Sequence, residues 1–444
     1  IFEPAKGVEN KNKVLEYIKN NFSDEITEFC DLEWLNDLGV VYKNFDCDRV
    51  CEYLREQKVD AIFIINCNFG NEEVCGQIAK KMGLPVLLWG PQDMVFEPDG
   101  QRYTDCQCGL FAISKQLRRY GVPFSYIENC EVEDDIFKDG LHQFLSVVTM
   151  IKNFKEMRIT QVGTRLNPFK SVMYNELELM EKFGLNMQTV NMAVAEKHFN
   201  EIMETKQDKL KFSLADLKEK YDVDGLDDAL LTKMLAFVNM YIEIFEETDS
   251  DVMASECWTA MPMAMGANPC LAMSILYDMG YIVACESDIY GAITAALLTC
   301  ASRGKVAATF GEFTTRHPKN KNAELLWHCG PFPYSTKRDD EKAKLFNTKP
   351  SFRAKDGDYT IARFQADRGR YTLLGGEYHT TEGPNTFGTY MWKKLEGWEY
   401  IKSEKKLING PYIHHMVEAY GNYSEILREF CKYVPELDFD PIEE

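Results

Sequence analysis

Histidine is scarce in this chain: seven residues among 444, beside six tryptophans. Basic charge is also in deficit, with 50 Lys and Arg against 70 Asp and Glu, a net charge of −20. So acidic a surface does not neutralise phosphates, and no nucleic-acid partner is expected. No uninterrupted apolar run approaches the length of a bilayer span, so no membrane partner is expected either. No G-x-G-x-x-G follows an apolar strand, which leaves a dinucleotide site without support. The opening "IFEPAKGVENKNK" has no apolar core followed by small residues. No secretory signal is therefore expected, and a cytoplasmic location is. The chain starts at Ile1 rather than Met, and a few preceding residues are expected.

Cysteine is not scarce. Fourteen are scattered through apolar stretches such as "FIINCNFG" and "YIVACESD". In a chain this large they read as free buried thiols, not a disulfide scaffold. Cys106-Gln107-Cys108 is a lone C-x-C with no second pair, which is poor support for zinc. The apolar fraction of 45% is ample for buried cores, and the length predicts two or three domains.

Over residues 1–148, helical periodicities alternate with short apolar runs. "VDAIFIINCNFG" and "LPVLLWG" read as strands; "NEEVCGQIAKKMG" and "CGLFAISKQLRRYG" read as helices. That alternation predicts a parallel sheet with helices on both faces. A second alternation fills 149–303, interrupted by a helical, charged insertion near 205–248. From 304 to 444 the texture becomes short β-rich segments split by Gly and Pro, closed by a last helix, "NYSEILREFCKYV". The predicted fold class is α/β: two Rossmann-like parallel-sheet domains, then an antiparallel, barrel-like β domain.

Ligands collect at the carboxyl ends of parallel strands. In "VACESDIYGAITAALL" an apolar strand ends in Glu286-Ser287-Asp288 and a helix follows at once. Capping of that helix explains part of this pattern. In "MASECWTAMP" Glu256 ends another apolar strand. The three acids together are hard to explain as solvated charge. His328 ends the strand of "AELLWHCGPFP", and "GPYIHHMVEAYG" places His414 beside His415. Neighbouring strand residues face opposite ways, so at most one of the pair points straight into a given site. Two carboxylates with one or two imidazoles suit a borderline divalent ion such as Mn²⁺. Trp258, Trp327 and Trp89 are candidate apolar walls of a ligand pocket. His142, His198, His317 and His379 read as structural.

The C-terminal two-thirds resembles the L-fucose isomerase and L-arabinose isomerase superfamily, in its shorter fucose-isomerase-like branch. The stretches that carry the resemblance are "SECWTAMP", "CLAMSILYDMGYIVACESDIYGAITAALL", "LLWHCGPFP" and "GPYIHHMVEAYG". It implies a metal-dependent aldose–ketose isomerase of a free sugar (L-fucose, D-arabinose or L-arabinose-like), using Mn²⁺ or another divalent cation. It also implies a homo-trimer or homo-hexamer. The resemblance assigns the metal to Glu256, Asp288 and His415, and proton transfer to Glu256 with Asp288 or Glu286. His414, His328, Trp258 and Trp327 are then expected at the substrate. The second carboxylate stays open, because this chain offers Glu286 where one branch has an acid and Asp288 where the other does. A sugar-binding protein of the same fold, or an enzyme of this fold acting on a modified sugar, is the alternative.

Overall fold

The computed structural model describes residues 3–22, 28–395 and 399–443. The chain divides into two compact units, Ile1–Val148 and Thr149–Glu444.

In the first unit, strands β1 (Ile62–Ile65), β2 (Val86–Trp89) and β3 (Ser125–Tyr126) form a parallel sheet in that order. Helices Glu72–Met82 and Cys106–Arg119 connect them. The first shows why its sequence folds there: Asn71 caps its N-terminus through two backbone N–H groups, and Gly83 ends it in the left-handed conformation. Trp89 is fully buried, 4.5 Å ring to ring from Phe137, so it belongs to this core and offers no wall to a ligand. A cavity of about 590 Å³ opens beyond the end of β2, with Gln92 and Asp93 on its lining. Asp93 is occupied there by hydrogen bonds from Thr104, Cys106 and Gln107.

The second unit begins with β4 (Arg158–Val162), β5 (Asn186–Val190), the short β6 (Tyr221–Asp222), β7 (Val252–Ser255) and β8 (Ile282–Ala284). Four of these make a parallel sheet in the order β5-β4-β7-β8. Between them the region read as a charged insertion is different in kind. Helix Asp228–Thr248 buries residues on every side, from Leu231 to Phe245, and is core. Its charges cluster at its ends, which hid the apolar centre from a reading by composition.

The rest of the unit is β9 (Thr309–Arg316), β10 (Ala323–His328), β11 (Ala343–Phe346), β12 (Lys349–Arg353), β13 (Asp358–Asp367), β14 (Arg370–Thr381), β15 (Thr389–Lys394), β16 (His415–Tyr420) and β17 (Leu437–Pro441). Six of them, in the order β14-β13-β16-β9-β10-β15, run antiparallel throughout. A further β14–β15 pairing closes the ring into a barrel. The fold is therefore α/β with parallel sheets followed by a closed antiparallel barrel, as the sequence pattern predicts. Helix Ser424–Cys431 is not the last element, since β17 follows it and pairs parallel to β14. Helix Ile289–Ala301, buried along nearly its whole length, packs between the parallel sheet and the barrel strands β13 and β16. It brings the tip of β8 against the barrel.

Candidate active site

Strand β8 ends at Ala284, and the chain turns sharply through Cys285–Ser287. Glu286 (φ 61°) and Ser287 (φ 57°) are both left-handed. Such conformations cost non-glycine residues of order 1–3 kcal/mol each and persist where surrounding contacts fix them. Here Ser287 donates through Oγ to the Thr164 carbonyl at 2.9 Å. The turn aims the Glu286 carboxylate at the barrel.

Asp288 comes next and is completely buried. It caps helix Ile289–Ala301 by accepting from the Gly291 N–H at 3.0 Å. It also accepts both terminal nitrogens of Arg363, and the Nδ1–H of His415 at 3.0 Å. Burial raises its carboxyl, but the Arg363 guanidinium and His415 outweigh that and hold it well below the usual carboxylate range. Gly291 is needed at this cap, because a Cβ there would sit 2.4 Å from the Phe310 ring and 2.7 Å from Asp288 Oδ2.

The hydrogen bond to Asp288 places the His415 proton on Nδ1 and frees Nε2. That Nε2 lies 3.0 Å from Glu286 Oε2 and 4.0 Å from Glu312 Oε2. His328 presents Nδ1 to Cys329 Sγ at 3.4 Å and leaves its own Nε2 free. Glu286 Oε2, His328 Nε2 and His415 Nε2 are all buried without a hydrogen bond of good geometry, Glu286 Oε2 and His415 Nε2 facing each other as an ion pair only. The donor atoms of these three residues lie within 4.8 Å of one another, as do those of Glu312, His414 and His415. Buried polar atoms are rarely left unsatisfied. Three of them converging, one carboxylate and two imidazole nitrogens, fit the donor set of a divalent ion.

The barrel register explains the grouping. Glu312 on β9 pairs with His415 on β16 and, on its other side, with Trp327 on β10. His328 follows Trp327, so three neighbouring strands deliver the barrel's share of the site. Phe310 lies 5.3 Å from both the His328 and the His415 rings and keeps the imidazoles in apolar surroundings. Burial lowers the His415 imidazole, yet Asp288 and Glu286 beside it carry it above its ordinary value. Burial raises the Glu312 carboxyl. His414 is more exposed than its neighbour; partial burial, then repulsion from His415, lower it to about 4.

Glu256 sits at the tip of β7, beside β8. Its Oε2 accepts from the Thr164 N–H at 2.8 Å and the Thr164 hydroxyl at 3.1 Å, and its Oε1 from Thr259 at 3.0 Å. Among the described residues, neither Glu256 nor Asp288 is in a group of three metal-type donors within 4.8 Å. Of the trio Glu256, Asp288 and His415, the structure brings only the last two into contact. Gly163 (φ 80°) admits the Glu256 carboxylate, since a Cβ there would lie 2.8 Å from Oε2. Trp258 is 44% exposed and 5.9 Å from the Phe169 ring, which lies 6.2 Å from His414. Trp327 stacks along His328, with its indole N–H given to the Phe387 carbonyl.

Glu312, Arg363, Thr164 and Phe169 were not singled out from sequence. Arg363 had a signal: an arginine inside "YTIARFQAD", an otherwise apolar strand, calls for a buried acid. So did "QVGTRLNPF", where a strand ends in glycine at the carboxyl edge of a parallel sheet. The other four histidines have local partners: His198 between Glu243 and Glu247, His317 on its own turn, His379 on Asp358 and His142 against Phe22. All fourteen cysteines are free.

Comparison with known proteins adds to this geometry. Residues 1–155 match the family model described as the fucose/sulfoquinovose isomerase N-terminal domain. The chain is 25% identical over 432 residues to a sulfoquinovose isomerase of Priestia megaterium, covering 94% of this chain and 92% of that protein. It is 24% identical over 335 residues to a sulfoquinovose isomerase of Alkalicoccus urumqiensis, covering 74% of each. It is 23% identical over 304 residues to one of a Clostridium species, covering 67% of this chain and 64% of the relative.

Proposed function

We propose that this chain, similar over residues 1–155 to the fucose/sulfoquinovose isomerase N-terminal domain and over most of its length to sulfoquinovose isomerases, is a divalent-metal-dependent aldose–ketose isomerase acting on a sulfonated sugar of the sulfoquinovose type. The three converging atoms, Glu286 Oε2, His328 Nε2 and His415 Nε2, carry the reading. In it Glu286, His328 and His415 hold the ion, with Glu312 beside them. Asp288 is the positioning residue that fixes the His415 tautomer, which revises the ligand set implied by sequence resemblance. Relatives named sulfoquinovose isomerase favour a modified sugar over L-fucose, D-arabinose or L-arabinose.

The reaction moves one proton between C1 and C2 and another between their oxygens. A divalent ion such as Mn²⁺, when bound, neutralises the negative charge that builds on those oxygens. Glu312, made more basic by burial, is suited to take and return the carbon-bound proton. Glu256, steadied by Thr164 and Thr259, is the second carboxylate available for proton transfer. His414, lowered to about 4, is a neutral imidazole near pH 7 and can hydrogen-bond a sugar hydroxyl without repelling the ion. Phe169 and Trp258 supply an apolar wall. Arg165, next to Thr164, gives one nitrogen to the carbonyls of Leu166 and Asn167, and in this reading its guanidinium is the group assigned to a sulfonate. The same reading carries assembly as a trimer or hexamer, which sedimentation measures directly.

The test is metal analysis of the purified protein, then ketose formation from sulfoquinovose, L-fucose, D-arabinose and L-arabinose with Mn²⁺ added. Turnover of sulfoquinovose, abolished by chelator and sharply reduced in Glu256→Gln and Glu312→Gln, is the expected result. Metal-loaded protein that converts none of the four sugars would sink the assignment.

A further inference from the structure

Three residues of the site each have a cysteine as immediate neighbour: Glu256-Cys257, Cys285-Glu286 and His328-Cys329. These thiols meet. Cys257 Sγ and Cys285 Sγ are 2.9 Å apart, both essentially without solvent exposure. The Cys285 and Cys329 sulfurs lie within 4.8 Å of each other, and Cys329 is partly exposed. Cys270 adds a fourth sulfur, 3.6 Å from Cys329. The β7 and β8 strands are direct neighbours. Cys257 lies just past the end of β7 and Cys285 just past the end of β8, and only a small closure separates their sulfurs from a bond of about 2 Å.

We propose that Cys257 and Cys285 are a disulfide-forming pair, charged through Cys329, whose oxidation pulls together the β7 and β8 tips that carry Glu256 and Glu286. The oxidant is a peroxide. Hydrogen peroxide converts the Cys329 thiol to a sulfenic acid and leaves one water. The Cys285 thiol attacks that sulfur, forms the Cys285–Cys329 disulfide and expels the second water. The Cys257 thiol then attacks the Cys285 sulfur, and Cys329 leaves as a thiol. Two thiols and one peroxide become one disulfide and two waters. Glu286 also donates its backbone N–H to Cys257 Sγ at 3.3 Å, so the bond acts directly on the turn that aims its carboxylate. The effect on metal binding rests on the function proposed above; the disulfide itself does not.

The experiment treats the reduced full-length protein with limiting hydrogen peroxide. Disulfides are mapped by peptide mass spectrometry, and Mn²⁺ affinity is measured by calorimetry before oxidation, after it and after dithiothreitol. The expected result is a Cys257–Cys285 crosslink, a Mn²⁺ affinity weaker by about 10- to 100-fold, and reversal of both by reductant. Cys257→Ala should abolish the crosslink and the affinity loss; Cys329→Ser should slow crosslinking. Oxidation confined to the exposed Cys108, a Cys270–Cys329 bond in its place, or a Cys257–Cys285 bond with unchanged Mn²⁺ affinity would each overturn the proposal. If neither form binds Mn²⁺, the proposed function fails, while the peptide map still decides whether the thiols pair as described.

Discussion

Glu286 and Asp288 are two residues apart in sequence and differ in what they have left to offer. Asp288 spends its oxygens on Gly291, Arg363 and His415, while one Glu286 oxygen is buried, faces the His415 Nε2 and makes no hydrogen bond. Glu286→Gln is therefore expected to abolish measurable Mn²⁺ binding. Asp288→Asn should weaken it by about 10- to 100-fold by loosening the His415 tautomer. Calorimetry on both variants reads the difference, and equal losses would argue against separate roles. The pH dependence has a defined sign. Burial pushes His328 down, but Cys329, Glu286 and Glu312 hold its imidazole up to about 10 in the metal-free protein. A bound ion must displace that proton. Mn²⁺ affinity should therefore climb as pH rises from 7 towards that value, with proton release detectable in buffers of different ionisation enthalpy. At this scale the sequence showed the acids and the histidines but not how they group, Asp288 with Arg363 and Glu286 with His328 and His415. That grouping depends on Arg363, 75 residues beyond Asp288 in the chain; the sequence signals that this arginine needs a buried acid but not which one.

Strands β10 and β15 are paired antiparallel, and Glu324 stands opposite Lys393 in their register. Their side chains form an ion pair of 2.6 Å, both ends buried inside the barrel. Lys393→Met would leave the Glu324 carboxylate without its cation, at an expected cost of about 3–5 kcal/mol. The double variant Lys393→Met with Glu324→Leu should recover much of that loss. Urea denaturation of the three proteins reads the cycle, and a double variant no better than the single would contradict it. Element types were legible where periodicity was clear, as in helices Glu72–Met82 and Glu176–Phe183 with their Asn caps and terminal glycines. The short strands β11, β12 and β17 were not, because four or five residues with mixed burial carry too little pattern.

Across the molecule, the alternation of strand and helix announced parallel sheets, and the change of texture after residue 303 announced the barrel. Which strands close that barrel was not legible, since closure rests on three cross-strand pairs between β14 and β15 that no local pattern predicts. The barrel encloses a further acid. Glu418 is fully buried, neither oxygen has a partner, and burial lifts its carboxyl from 4.5 to about 8 against the pull of Lys393 and His328. Between those values the folded protein keeps a proton that the unfolded chain releases. The Glu418 contribution thus favours the fold most at or below about pH 4.5, and is lost progressively as pH rises to about 8. Glu418→Gln should flatten the fall of melting temperature over that window, as calorimetry at several pH values would show.

Two kinds of backbone hold the donors described above. His328, Glu312 and His415 stand on hydrogen-bonded barrel strands in fixed register, whereas Glu286 hangs from a turn with two successive left-handed residues. One wall of the site is stiff and the other compliant. In the proposed metal site, discrimination by ionic radius would then lie in the turn, since the barrel strands adjust least to a larger or smaller ion. Ser287→Gly, which removes both the left-handed penalty and the tie to Thr164, should narrow the affinity gap between Mg²⁺ and Ca²⁺ while leaving the histidines in place. Competition binding with those two ions would register the change.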